Sequence, residues 1–249
     1  MKHLLKFLLL VTLLFSCRKV QDAKITSSTC GSILIDVTDP HLVKPAADDV
    51  LALYKLSGDI NKEASFRLSV ISDQKLNPVV EYHLADGATT EQKNRTGDSH
   101  NRENLVLAFY ESVRSSLLNF WATHDSVQSL SHSECISSIL NEITRLSQSS
   151  CTDKFLIVFS DLQENAAFKS YTEENINLLN RNPEGLATHL LEQYTIPENL
   201  SGMTVYFINL PRNREEEEVF LKWVEVYKLL LEPRGAQIIV QAHNKFFIP

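Results

Sequence analysis

The chain has 249 residues, 43% hydrophobic and 22% charged, with a formal net charge of −7. That length is ample for one sizeable core, and the acidic balance excludes nucleic acid as an expected partner. With seven glycines and neither a G-x-x-x-x-G-K-[ST] nor a G-x-G-x-x-G run, nucleotide cradling by either loop type is unsupported too.

Residues 1–16 carry Lys2 and Lys6, an apolar stretch from Phe7 to Phe15, and then Ser16 before Cys17. This is the layout of a bacterial secretory signal, and the stretch is too short to span a bilayer. Leu14-Phe15-Ser16-Cys17 resembles the lipobox of bacterial lipoproteins, which implies that Cys17 is acylated and becomes the new amino terminus. Arg18 stands where an aspartate would signal inner-membrane retention, and no acidic run follows. The expected location is therefore the cell envelope, lipid-anchored, on the outer membrane facing the periplasm. The expected division is signal 1–16, tether 17–29 and one α/β domain over 30–249. Losing Lys2 and Lys6 takes the charge from −7 to about −9, compatible with cation binding and equally with a soluble surface.

The first predicted strand, 32–37, reads Ser32-Ile33-Leu34-Ile35-Asp36-Val37 and matches a later one, Lys154-Phe155-Leu156-Ile157-Val158-Phe159-Ser160-Asp161. Both are short apolar runs closing on an aspartate, unalternated by polar residues, as expected of strands buried on both faces of a parallel sheet. Ligands bind such sheets at the carboxyl edge. Between the two, the pattern predicts a helix over 46–57, a hairpin of strands 66–71 and 79–84 turning at Asn77-Pro78, a polar loop 86–100, and helices over 101–121 and 132–147. Ser131 and Glu134 read as a capping box for the last. Arg102 and Asn104 read as a solvated first turn; Leu117, Phe120 and Trp121 read as packing residues.

Helix-like stretches follow near 172–180 and 184–194, then a strand over 203–209, a helix over 215–231 and a strand over 237–241. Glu215 to Glu218 suit the first turn of a helix, where they complement the dipole, better than a metal cluster. Phe220, Trp223, Val224, Tyr227, Leu230 and Leu231 recur at helical spacing as a core stripe, which Gly235 closes. The terminal Phe246-Phe247-Ile248-Pro249 reads as a segment docked on the body.

With Cys17 acylated, Cys30, Cys135 and Cys151 remain, and an exported compartment permits disulfides with one thiol left over. Cys30 and Cys151 each lie upstream of a matched strand, so Cys30–Cys151 is a candidate bridge; Cys135–Cys151 is the rival. No C-x-x-C spacing suggests zinc.

This order of elements, with aspartates ending the first and fourth strands, resembles the von Willebrand factor type A (VWA) domain over about residues 30–243. The resemblance implies a Rossmann-like three-layer αβα sandwich, mostly parallel with one antiparallel strand towards an edge. It also implies a metal-ion-dependent adhesion site for Mg2+ or Mn2+, built in that family from D-x-S-x-S, a loop threonine and the fourth-strand aspartate. Asp36 and Thr38 match the first two positions, Pro40 departs at the third, and Asp161 matches the fourth-strand aspartate. Thr96 is chosen over Thr89 and Thr90 as the loop threonine because it precedes Gly97. Asp39 is a further oxygen donor at hand, and Glu164 reads as either another or the cap of a turn.

The expected function is thus binding of another envelope or extracellular protein by a membrane-anchored module, with no catalytic residue. The enzyme alternative is a haloacid-dehalogenase-like phosphatase with Asp36 as nucleophile, but no second aspartate stands beside it. A metal-independent envelope scaffold is the third reading. No G-x-S-x-G elbow supports a serine hydrolase.

Overall fold

A computed structural model describes residues 27–38, 43–44, 46–72, 79–87, 99–124, 133–166, 168–170 and 172–242. The secretory signal, Cys17, Asp39, Pro40, Thr89, Thr90, Thr96, Ser131 and the last four residues lie outside that set, as do the readings placed on them. The described strands are β1 (Ser28–Asp36), β2 (Glu63–Ile71), β3 (Val79–Leu84), β4 (Asp153–Phe159), β5 (Met203–Ile208) and β6 (Gln237–Gln241). The helices are α1 (Ala47–Ala52), α2 (Ser99–His124), α3 (Cys135–Ser147), α4 (Glu173–Arg181), α5 (Pro183–Gln193) and α6 (Arg214–Leu231).

The strands form one sheet in the order β3-β2-β1-β4-β5-β6, parallel throughout except for the β2–β3 hairpin. This is a mixed α/β, Rossmann-like architecture, mostly parallel with one antiparallel edge strand. The two apolar runs are neighbours as well as matched: Ile33 pairs with Ile157 and Ile35 with Phe159. Every residue of β1 is buried, because helices cover both faces of the sheet. On one face Leu34, Leu156, Val158, Val205 and Phe207 meet Ile139 and Ile143 of α3, Leu186 and Leu190 of α5, and Trp223, Tyr227 and Leu230 of α6. On the other, Ile33, Ile35, Ile157 and Phe159 meet Val50, Tyr54, Val106, Phe109 and Val113. Gly31 lets the second layer close, since a Cβ there would overlap the Phe155 ring and the Tyr54 hydroxyl.

Helix ends follow local chemistry. Asn213 accepts a hydrogen bond from the Glu216 amide at 3.0 Å, Glu215 to Glu217 occupy the first turn of α6, and Gly235 at φ 96° ends the segment. Three expectations shift. The first helix stops at Ala52, and Leu53, Tyr54 and Leu56 keep their buried positions in turns instead. Arg102 is buried, not solvated, and its guanidinium donates to the carbonyls of Ile60, Ala85 and Lys62 at 2.6, 2.7 and 2.8 Å. Glu134 occupies the cap position of α3 without a side-chain capping bond. Leu117 and Phe120 are core, and half-buried Trp121 packs edge-on against Phe120 beneath the Lys44 ammonium.

Cys30 and Cys151 are joined in a disulfide, with Cα atoms 5.7 Å apart, and Cys135 is a free, buried thiol. The bridge links β1 to the residue approaching β4. Beside it, Ser28 and Thr152 exchange three hydrogen bonds of 2.9 to 3.1 Å.

Candidate functional site

The chain leaves β1 towards β2 on one side, while β4 and β5 lie on the other. The gap between β1 and β4 is therefore the place where strand order reverses, and in open α/β sheets that is where ligands bind. Asp36 ends β1 there, and Ser160 and Asp161 follow β4.

Asp36 is only 1% exposed. Its Oδ1 accepts from the Thr38 amide at 3.0 Å and from Thr38 Oγ1 at 2.6 Å, a tight local turn. Its Oδ2 accepts from Ser160 Oγ at 2.8 Å, Ser133 Oγ at 3.1 Å and Cys135 Sγ at 3.3 Å. Ser160 Oγ also accepts from the Leu162 amide at 2.9 Å. Asp161 makes a parallel turn, taking the Gln163 amide at 2.9 Å and Gln163 Nε2 at 3.1 Å. Leu162, between these turns, is fully buried and sits at φ 62°, a costly conformation for a residue with a Cβ.

The segment after β4 is tied to the start of α3. Asn165 donates its amide to the Ser133 carbonyl at 3.2 Å, and its side-chain oxygen accepts from the Ser133 amide. Glu164, 2% exposed, accepts from the Ile136 amide through Oε2 at 3.0 Å and from the Ala166 amide through Oε1 at 2.9 Å. It thus supplies the cap that Glu134 does not, from 28 residues away. Burial, followed by the charge of Asp36, pushes the Cys135 thiol well up, opposed by hydrogen bonds from Ser133 and Ser160. The thiol is protonated at neutral pH and is no nucleophile.

A cavity of about 310 Å3 adjoins this cluster, with Glu164, Ile136, Phe168, Asn175 and Tyr194 in its walls. The region 162–200 therefore does contribute to the surface around the candidate site.

Of the sequence-derived residues, Asp36, Thr38 and Asp161 stand at one edge of the sheet. Thr96 lies outside the described residues. A third hydroxyl on Asp36, beside those of Thr38 and Ser160, comes from Ser133. Sequence reading passed over it as the interior of a capping box, although its place before the helix that leads into β4 was a usable signal. Among the described residues, no group of three or more His, Cys, Asp or Glu is placed to hold a metal ion. A cation here would rest on hydroxyls as much as on carboxylates.

No protein-family model matches the chain, and no curated protein matches it. Among solved structures it is similar to an aerotolerance-related membrane protein from Bacteroides fragilis NCTC 9343, crystallised with multiple mutations to serines. The two share 10% identity at a TM-score of 0.34, over 87% of this chain and 93% of that one. A likeness of that degree is no ground for a function. Among the described residues, no helix is long and apolar enough to cross a membrane.

Proposed function

We propose that the chain is a cell-envelope lipoprotein, anchored through Cys17, whose VWA-like domain binds another envelope or extracellular protein at the carboxyl edge of its sheet. The observation that carries this reading is the convergence of Thr38, Ser133 and Ser160 on Asp36, with Asp161 beside them, where strand order reverses. The donors are hard oxygens, the type that Mg2+ and Mn2+ select. The Thr38 and Ser133 hydroxyls point their protons at Asp36, which leaves oxygen lone pairs for a cation. Thr38, Ser133 and Asp161 are the residues that would hold it, with Asp36 orienting the two hydroxyls. Bound there, the ion would offer a coordination position to an acidic group of the partner.

Binding is preferred to phosphoryl transfer because both Asp36 oxygens are engaged and the carboxylate is almost fully covered. A nucleophile needs a free lone pair facing its substrate. Two measurements test the proposal on the purified chain. Calorimetric titration of Mg2+ and Mn2+ is expected to show saturable binding that Ser133→Ala and Asp161→Ala lose; no binding at millimolar metal leaves the partner site metal-independent. A photo-crosslinker at Gln163 or His189 is expected to capture an envelope protein that one at Gln237, on the amino-terminal edge, does not. Equal capture from both edges sinks the assignment of the binding face, and phosphate release from p-nitrophenyl phosphate that depends on Asp36 returns the phosphatase reading.

A further inference from the structure

At the amino-terminal edge of the sheet, opposite Asp36, lies a second cavity of about 110 Å3. Its floor is formed by Phe155 of β4, Tyr206 of β5 and Ile239 of β6, on the face that carries α1 and α2. Thr29, Lys55 and Lys62 stand in its walls. Thr29 is 1% exposed, and its Oγ1 has no hydrogen-bond partner in the protein. A buried hydroxyl left unpaired costs on the order of 1–3 kcal/mol. On a cavity wall, that cost is removed by a molecule in the cavity that accepts from it.

Lys62 is the second unusual wall residue, a lysine only 5% exposed. Lysines are rarely buried unless paired, and the Lys62 Nζ lies 3.1 Å from Oδ2 of Asp153, a carboxylate that also lines the cavity and whose side chain is 63% exposed. The loop that presents it is firmly built. Arg102 donates to the carbonyls on both sides of Asn61, and the Lys62 amide donates to the Asp59 carbonyl at 3.2 Å. Lys55 is held in the left-handed region at φ 53°, a strained conformation of the kind that persists at ligand sites. Lys154, the other wall lysine, directs its ammonium to the Ser147 carbonyl at 3.2 Å. Lys55, Lys62 and Lys154 against Asp153 therefore leave the cavity wall with an excess of positive charge.

We propose that this cavity binds a small organic monoanion, a carboxylate that takes hydrogen bonds from Lys62 and Thr29 while its apolar body packs on Phe155 and Tyr206. The positive wall selects an anion, and the apolar floor of Phe155, Tyr206 and Ile239 favours a carboxylate with an organic body over inorganic phosphate. The volume admits a handful of waters or one small molecule, not a peptide. The site is independent of the carboxyl-edge reading and stands whatever binds there.

The test is titration of benzoate into the purified full chain, followed by calorimetry or ligand-observed NMR, with benzyl alcohol as the neutral counterpart and inorganic phosphate as the anion without a body. Benzoate is expected to bind saturably, with benzyl alcohol and phosphate each weaker by about tenfold or more, the worth of a charge-assisted hydrogen bond. Lys62→Met is expected to lower benzoate affinity by about tenfold. Thr29→Val is expected to lower it several-fold while the melting temperature holds or rises, because that exchange removes an unpaired hydroxyl from the free protein. This split is one that a purely structural threonine does not produce, and it serves where Lys62→Met folds poorly. No saturable benzoate binding at millimolar concentration overturns the site. Equal affinity for benzyl alcohol overturns the charge assignment, and tighter binding of phosphate overturns the apolar body.

Discussion

At Asp36 two carboxylate oxygens receive a backbone amide, three hydroxyls and a thiol. A buried carboxylate is tolerated only when its lone pairs are filled in this way, so the donors around it are as much a condition of folding as of binding. Cys135 is the donor with a measurable signature. Its thiol pKa is raised in the folded chain by burial and then by Asp36, so the folded state holds its proton where the unfolded state releases it. The stability that goes with this is full below about pH 8.5, the unfolded value for cysteine. It is lost as pH climbs from there towards the folded value. Burial also raises Tyr54 and Tyr227 well above their ordinary values, which adds a second loss starting near pH 10. Urea unfolding as a function of pH is therefore expected to show two alkaline steps in the native chain, with Cys135→Ala removing only the first. A first step that survives this substitution would reject the account.

Helix α3 connects the site to the core, and two glutamates secure it, one at its start and one midway. At the start, Glu164 caps the Ile136 amide from the far side of β4 and adds negative charge at the positive end of the helix. Further along, Glu142 accepts from Ser32 of β1 and from Arg145 through Oε1, and Arg67 of β2 lies 3.2 Å from Oε2 as an ion pair. Glu164→Ala is expected to cost about 1–3 kcal/mol, with accelerated hydrogen exchange confined at first to the opening turn of α3. Glu164→Gln is expected to recover less than half of that, because an amide nitrogen would face one of the two N–H groups that the carboxylate accepts. Full rescue by glutamine would count against the cap. Glu164 was legible as the cap of its own turn, which it is at Ala166, but not as the cap of α3. The helix itself was visible as an apolar period, and Ser131 and Glu134 supplied a plausible local cap, but a cap that arrives across 28 residues leaves no local pattern. Ser133 stands just before α3, which was a signal, but which hydroxyl reaches Asp36 depends on where the loop before α3 sits over the sheet. Local turns, by contrast, were readable, since Asp36 and Thr38 meet two residues apart.

For the whole molecule, what the residues announced was the layering. Two unalternated apolar runs closing on aspartates became adjacent central strands, and the hairpin became the antiparallel edge. The amino-terminal edge was far less legible, because its parts come from separate places: Thr29, the turn at Lys55, the loop at Lys62 and the starts of β4, β5 and β6. The disulfide crosses this same edge and closes a separation of 121 residues. A bridge spanning that much chain acts chiefly on the unfolded state, whose freedom it restricts, and such loops carry about 3–5 kcal/mol. The folded edge has its own fastening, the three hydrogen bonds between Ser28 and Thr152, so reduction is expected to leave the native sheet in place while making the open chain more favourable. Reductant, or Cys30→Ala with Cys151→Ala, should therefore lower unfolding stability by about 3–5 kcal/mol with the native circular dichroism spectrum unchanged. Cys135→Ala should leave the response to reductant as it is. Equal urea midpoints with and without reductant would mean that the bridge does not restrict the unfolded chain. A changed native spectrum would mean that Ser28 and Thr152 do not hold the edge by themselves.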